Sequence, residues 1–567
     1  MICHRYCRGF AASCALLLLL SQAPAQDQTS PLKPQEGPLP VIKATTRLVA
    51  VDVVALDNQG RPVTDLKAGD FTVLEENEEQ EIKVFSFQHP APADAVSDRS
   101  KLPRNVFTNA PSFRSNSSFN VLLLDAVNTQ FENQAYAQQE ILAFLKKMPS
   151  EQPVAIYALA GNKVQLLQDF TTDIGQLESA AKKFRGQNSL LLSRPSDTAD
   201  NPRGGRAGGV TGGMAGVMQR VEADRIRFRV DYTVAALTYI AQSLAGYPGR
   251  KNLIWISEAF PFDVRSDLQV SGAVNLESHD EDVAKAANAL INSQVAIYPL
   301  DPRGLSAPSF FSASNSGRDS NGQALRGADL QNALSDESNA LWEDHGTMNE
   351  MASRTGGRAF YNRNDLAESI RRSIDDGSTY YTLGYYPDNK KWDGRFRKIH
   401  VKVNREGIKL RYRLGYYAVD PQQRREPDPK KQEMAFIQAL NLEVPASASV
   451  IFQAGVAARS SATKDKLPVD FTIDPRSVVF DQQADGAQHA KVNCGGRVYT
   501  DKGKALRLQS STVEVRLSPE SFLKVMQYGL PCKLELDLPN GNYLVRLGVM
   551  DNRSGLIGTT NAKMTVP

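Results

Sequence analysis

The sequence has little excess charge of either sign. Lys plus Arg number 66 and Asp plus Glu 63 in 567 residues, a net charge of +3. There is therefore no basic field of the kind that captures a phosphate backbone, and nucleic acid is not expected as a principal partner. Histidine is also scarce. His89, His279, His345, His400 and His489 lie outside the N-terminal segment, and none stands in an H-E-x-x-H arrangement. No G-x-S-x-G elbow is present either, so neither common hydrolase signature supports an enzyme. His345 beside Asp344 is expected to be a solvated helix residue. Long apolar runs are missing as well. The longest, about twelve residues from Gly9 to Leu20, is too short to cross roughly 30 Å of hydrocarbon as a helix, so no transmembrane helix is expected.

What stands at the N-terminus has another purpose. His4, Arg5 and Arg8 precede the apolar run, and Ala23-Pro24-Ala25 follows it, the order of a secretory signal with an A-x-A cleavage site. Cys14 precedes the leucines, whereas a lipid-modified Cys would follow them. The reading is a secreted or periplasmic chain cleaved near Ala25. Cleavage removes Cys3, Cys7 and Cys14 and leaves Cys494 and Cys532. In an oxidising compartment these two are disulfide candidates, with separately buried thiols as the alternative.

Hydrophobic residues at 41% and charged ones at 23% describe a folding chain, and its length implies about three to five domains. After the signal (1–25), residues 26–42 are polar and Pro-rich and read as a linker. Leu48 to Val54, Phe71 to Leu74 and Ile82 to Phe85 are strand-like and define an N-terminal β-module, 43–90, followed by a linker, 91–117. Within 118–378 the pattern alternates. Val121 to Leu124, Val154 to Leu159, Leu253 to Ile256 and Val295 to Leu300 are short continuous apolar runs, and helical periodicities fall between them. This predicts an α/β fold with a doubly wound, mostly parallel sheet.

Two Gly- or Ser-rich stretches, 186–220 and 303–335, read as flexible insertions. No Gly-Lys-Ser or Gly-Lys-Thr follows the first, so it is not read as a phosphate cradle. Residues 379–420 read as strands extending the α/β domain, 421–432 as a linker, and 433–567 as an antiparallel β-sandwich containing both remaining cysteines. The tyrosines from Tyr380 to Tyr417 are expected to pack across strands rather than form a binding platform. Asp481 to Gly486 imitates a calcium loop, but its twelfth position is Val492, and a hairpin turn is expected.

Doubly wound sheets bind ligands at the carboxyl ends of their strands, which directs attention to Asp125, Asp301 and the residues after Ile256. Here the sequence resembles the von Willebrand factor A (VWA) domain, and more closely the VWA-related secreted proteins of acidobacteria. The likeness lies in Val121 to Asp125 with Asn128-Thr129, Leu166 to Thr171, Pro248 to Leu253, Thr355 to Phe360, and Tyr380 to Tyr386. The resemblance implies a metal-ion-dependent adhesion site, in which Mg²⁺ leaves one position for a carboxylate of a protein ligand. Residue by residue, Asp125 matches the first Asp, Thr129 the second hydroxyl and Thr171 the second-loop Thr, while Glu258 stands where an Asp-Gly pair would begin. Val127 replaces the first Ser, so the oxygen set is degenerate. The alternative is that Asp125 and Glu258 accept backbone N–H groups of loops, and that Asp301 bonds locally in the turn Asp301-Pro302-Arg303-Gly304. The functional expectation is an exported module for protein–protein interaction or adhesion, possible Mg²⁺ binding included. The other readings are a metal-free structural or envelope-tethering protein and, behind it, a hydrolase with an unrecognised site.

Overall fold

The computed structural model describes residues 48–89, 102–103, 105–111, 118–148, 152–161, 163–189, 191–192, 211–259, 286–305, 327–419, 428–457, 466–483 and 485–566. The expected signal peptide and the linker at 26–42 lie outside them, as do 193–210 and 306–326 of the two insertions.

Strands β1 (Val49–Leu56), β2 (Phe71–Glu75), β3 (Glu78–Gln80) and β4 (Ile82–Gln88) open the fold. The short β5 (Val106–Thr108) follows. The α/β sheet comprises β6 (Phe119–Asp125), β7 (Val154–Ala160), β8 (Lys163–Thr171), β9 (Lys251–Ile256) and β10 (Val295–Leu300), in the order β10-β9-β6-β7-β8. All its pairs are parallel except β7 with β8. Strand side chains point alternately to the two faces, and apolar residues fill both. Val121, Leu123, Leu253 and Trp255 pack with α3 (Thr211–Leu244) and α4 (Ala328–Thr355). Leu122, Leu124, Ile254 and Ile256 pack with α1 (Phe131–Leu145), α2 (Ile174–Lys183) and α5 (Leu366–Asp376). Helices on both faces explain why these strands read as unbroken apolar runs. Helix α3 starts at Thr211 and α4 at Ala328, so each takes in sequence expected to be loop.

The next strands differ from expectation in their partners. Those at 379–420 are β11 (Tyr380–Tyr385), β12 (Asp393–Val403), β13 (Lys409–Arg411) and β14 (Gly415–Val419). They do not extend the α/β sheet. Instead β11 lies between β1 and β4, β12 between β2 and β14, and β13 beside β1. The two resulting four-stranded sheets share a core of Val51, Val53, Phe71, Val73, Tyr381, Leu383, Ile399 and Val401. The tyrosines are largely core residues. Tyr385 and Tyr416 both donate to the buried Glu75 carboxylate, at 2.7 and 3.0 Å, and Arg397 pairs with it at 3.1 Å.

The C-terminal strands are β15 (Phe452–Val456), β16 (Lys466–Ile473), β17 (Asp481–Gln482), β18 (Gln488–Thr500), β19 (Ala505–Leu517), β20 (Leu530–Asp537), β21 (Gly541–Asp551) and β22 (Ile557–Val566). They form two sheets, β20-β16-β15-β5 and β17-β18-β21-β22, with β19 on β18. Strand β5 comes from the stretch expected to be a linker, and its three residues are too few to show a period. Segment 481–486 enters a hairpin, with Asp481 opposite His489. Cys494 of β18 and Cys532 of β20 are joined by a disulfide with Cα atoms 6.6 Å apart, linking the two sheets. Among the described residues, no helix is long and apolar enough to cross a membrane.

Candidate functional site

Chain connections run from β6 to β7 on one side and on to β9 on the other side of β6, so the strand order reverses at β6. A crevice at such a switch point opens at the carboxyl ends of the strands. Asp125 ends β6 and Glu258 follows β9 by two residues.

Asp125 is 2% exposed and surrounded by donors. Its Oδ1 accepts the backbone N–H groups of Val127 (3.0 Å) and Asn128 (2.9 Å). Its Oδ2 accepts from Asn128 Nδ2 (2.8 Å), Trp255 Nε1 (3.0 Å) and Ser257 Oγ (3.0 Å). Five donors saturate a carboxylate that offers about four lone-pair directions. Burial raises the Asp125 carboxyl above its ordinary range, and the hydrogen bonds from Asn128, Trp255 and Ser257 pull against that shift. Asn128 extends the network, donating to Thr233 Oγ1 of α3 at 2.9 Å and accepting from Arg229 Nε at 3.0 Å.

Glu258 serves the loop after β6 in the same way. Its Oε1 accepts from the Gln130 N–H (3.0 Å) and Asn133 Nδ2 (2.6 Å), and its own N–H points to Thr129 Oγ1 at 3.4 Å. Burial raises its carboxyl, against the Asn133 hydrogen bond and the nearby Arg303. Arg303 is the second guanidinium of this edge, beside Arg229. It forks onto Asp301 at 2.8–3.0 Å, reaches Asp344 at 3.1 Å and donates to the Glu258 carbonyl at 2.6 Å. Burial alone would raise Asp301, but the hydrogen bonds from His345 and Arg303 outweigh it and hold the carboxyl below its usual range. His345 is not solvated as expected. Its Nε2 lies 3.3 Å from Asp301 Oδ2, and its ring stacks on Tyr361 at 4.0 Å between centroids.

The structure therefore brings Asp125, Thr129 and Glu258 to one edge and leaves Thr171 out. Thr171 pairs with Val154, which pairs with Asn120 at the start of β6. Asp125 is five residues further along, roughly 17 Å at ~3.3 Å per residue. The cause is that β8 runs antiparallel, so its last residue faces the amino edge; there Thr171 Oγ1 accepts the Asp173 N–H at 3.1 Å. The hydroxyls beside Asp125 and its loop are Ser257 and Thr233, the latter a polar residue on the buried face of α3 between Val230 and Leu237. Arg303 and Asp344 were also missed, since only the turn was legible; Asp301 Oδ1 does accept the Arg303 N–H, at 2.9 Å.

These residues do not fit the Mg²⁺ shell that the resemblance implies. The Asp125 oxygens are committed to protein donors, Val127 supplies no side-chain oxygen and Thr171 is remote. No group of three or more His, Cys, Asp or Glu suited to a metal ion occurs among the described residues. A guanidinium, Arg303, supplies positive charge at this edge instead.

No protein-family model matches the chain, and no curated protein does. Several solved structures align with it. Proximal thread matrix protein 1 from the mussel byssus is 8% identical, with a TM-score of 0.24 over 46% of this chain; the chain spans about half of that protein, 48%. The SpRpn10 VWA domain is 10% identical, with a TM-score of 0.19 over 46% of this chain and 97% of that one. The ArnB paralog VWA2 from Sulfolobus acidocaldarius is 8% identical, with a TM-score of 0.20 over 85% and 76%. VWA domains are thus among the structural neighbours, but superpositions this loose carry no argument. The fold stands on its own strand order, a doubly wound α/β sheet with one antiparallel edge strand.

Proposed function

We propose that the chain is an exported protein-interaction module that recognises a protein ligand at the carboxyl edge of its α/β sheet without a metal ion. One observation carries this reading: large apolar side chains stand exposed around the polar centre just described. Phe131 (47% exposed) opens α1, Phe228 (48%) precedes Arg229, Leu305 (68%) follows Arg303 by two residues, and Trp342 (78%) precedes Asp344 by two. Exposed aromatics around a fixed polar cluster are the usual anchors of protein recognition. Helices α3 and α4 add reach. Arg229 and Asp344 mark the level of the sheet edge, and the helices begin at Thr211 and Ala328. At ~1.5 Å per residue each rises roughly 25 Å beyond that edge.

The test places a photo-crosslinking amino acid at Phe228 or Trp342, with Leu506 and Leu523 of the sandwich as controls, in the envelope and medium of the producing cell. The expected result is the same discrete protein adduct from both edge positions, unchanged by EDTA. Adducts equally abundant at the controls would sink the proposal, and loss of the adduct in EDTA would restore a metal-dependent site. Calorimetric titration of Mg²⁺ into the purified chain is expected to show no saturable heat.

A tethering role is the second reading. The C-terminal end of α3 is fastened to the start of the sandwich: Ser449 Oγ donates to the Gln242 carbonyl, Ala448 N–H to Ser243 O at 3.3 Å, and Tyr239 OH to Pro445 O at 3.0 Å. Complete absence of adducts at the edge positions would favour it.

A further inference from the structure

The amino end of β9 presents the opposite chemistry to its carboxyl end. Here the α/β unit meets the four-stranded sheets, and between them lies a small cavity of about 20 Å³. That is space for one or two atoms. From the α/β side it is lined by Arg250, Gln294, Val295 and Thr355; from the other side by Ala50, Asp52 and Arg413.

Two of the lining residues are guanidinium groups with an N–H left over. Arg250 is 2% exposed and donates through Nη2 to Tyr298 OH (3.2 Å) and the Gly356 carbonyl (2.6 Å). Arg413 donates through Nη1 to the Ile291 carbonyl at 3.4 Å. All three acceptors are neutral, and the Nε of each arginine is buried with no acceptor in the protein. A third cation, Lys251, is 1% exposed and donates to the Tyr247 carbonyl at 2.8 Å. Within the cavity lining itself, Asp52 is the single carboxylate against the two guanidinium groups. Asp52 is itself engaged by Thr382 Oγ1 at 2.7 Å and Gln294 Nε2 at 3.4 Å. Positive charge therefore exceeds negative charge in a largely buried region, where an uncompensated ion is costly.

We propose that this cavity is a halide site, in which one chloride ion sits between the Nε–H groups of Arg250 and Arg413 beside the Gln294 amide. A water molecule accepts the same hydrogen bonds but brings no charge. Two guanidinium groups against Asp52 leave one positive charge, which a monovalent ion balances and doubly charged sulfate or phosphate would overshoot. Burial depresses both Lys251 and Arg413, and a neighbouring anion acts against both shifts. Because Arg250 and Gln294 belong to one unit and Arg413 and Asp52 to the other, the ion fastens the two units together.

The experiment is thermal unfolding of the purified mature chain in sodium chloride and in sodium gluconate at equal ionic strength, with bromide diffraction from crystals of the same protein. Chloride is expected to raise the melting temperature above that in gluconate. Each tenfold rise in chloride above its dissociation constant then favours the folded state about tenfold. Bromide is expected to give an anomalous peak between Arg250 and Arg413. Arg413→Gln is expected to abolish both effects. If that variant does not fold, the wild-type bromide map decides alone. Equal melting in the two salts, or a map with no peak at this position, overturns the proposal.

Discussion

Strand β9 carries a buried polar cluster at each end, and the two are built on opposite terms. At the carboxyl end one carboxylate, Asp125, meets five donors, and a guanidinium, Arg303, is shared between Asp301 and Asp344. Donors and acceptors balance there, and the cluster acts as a fixed joint between loops. At the amino end Arg250 and Arg413 line a cavity whose single carboxylate is Asp52, and their two Nε–H groups have no protein acceptor. Each end combines fully buried residues, Asp125 and Arg250, with part-buried ones, Arg303 and Arg413, so burial does not separate them. What separates them is whether the chain itself supplies the counter-charge. A balanced cluster loses stability when any member is removed. An unbalanced one responds to pH and to ions in the solvent.

The largest effect should come from breaking the balanced end. Asp125→Ala strands five donors and is expected to cost about 3–5 kcal/mol, read from urea unfolding. An effect below 1 kcal/mol would mean that water replaces the carboxylate. At the other end, burial holds Lys251 down at about 7. The unfolded chain, with lysines near ~10.4, therefore binds more protons above that pH, and stability rises with pH. In chloride-free buffer, from pH ~7 to ~9.5 and below the titration of tyrosine, the gain is on the order of 3 kcal/mol. Lys251→Met should flatten that rise in pH-dependent unfolding. A flat wild-type profile would place a counter-ion permanently beside the lysine.

Two smaller changes sharpen the boundary of the carboxyl cluster. Thr233→Val removes the acceptor of Asn128 Nδ2 and should cost about 1 kcal/mol, measured in the same unfolding assay. Thr171→Ala should change stability by no more than about 0.5 kcal/mol, since it removes one hydrogen-bond acceptor at the part-buried end of β8. A loss comparable to that of Asp125→Ala would show that Thr171 is coupled to the carboxyl edge after all.

Much of this architecture was legible in the residues. Val121 to Leu124 and Leu253 to Ile256 announced strands covered on both faces, and the polar residues that end them, Asp125 and the Ser257-Glu258 pair, marked the crevice. Direction was not legible. An apolar run reads the same either way along a sheet, so nothing in Leu166 to Thr171 disclosed that β8 runs antiparallel and carries Thr171 away. Long-range partnership was equally hidden. The alternation in Val49 to Val53 specifies a buried face, but not that the facing strand begins at Tyr380. Arg303 looked like a turn residue because its three carboxylate and carbonyl partners come from separate parts of the chain.

The interleaving of β1–β4 with β11–β14 sets an order in time. Strand β4 is complete at Gln88, while its neighbour β11 starts only at Tyr380, after the whole α/β sheet. Synthesis at ~5–20 residues per second puts tens of seconds between the two. During that interval the first four strands exist without the strands that complete their sheets, and their edges are open to pairing with other chains. A polypeptide stopped before Val419 has made its α/β core and still lacks a closed β unit. Truncations that end before Tyr380 should therefore fail by aggregation of the N-terminal strands, far from the cut.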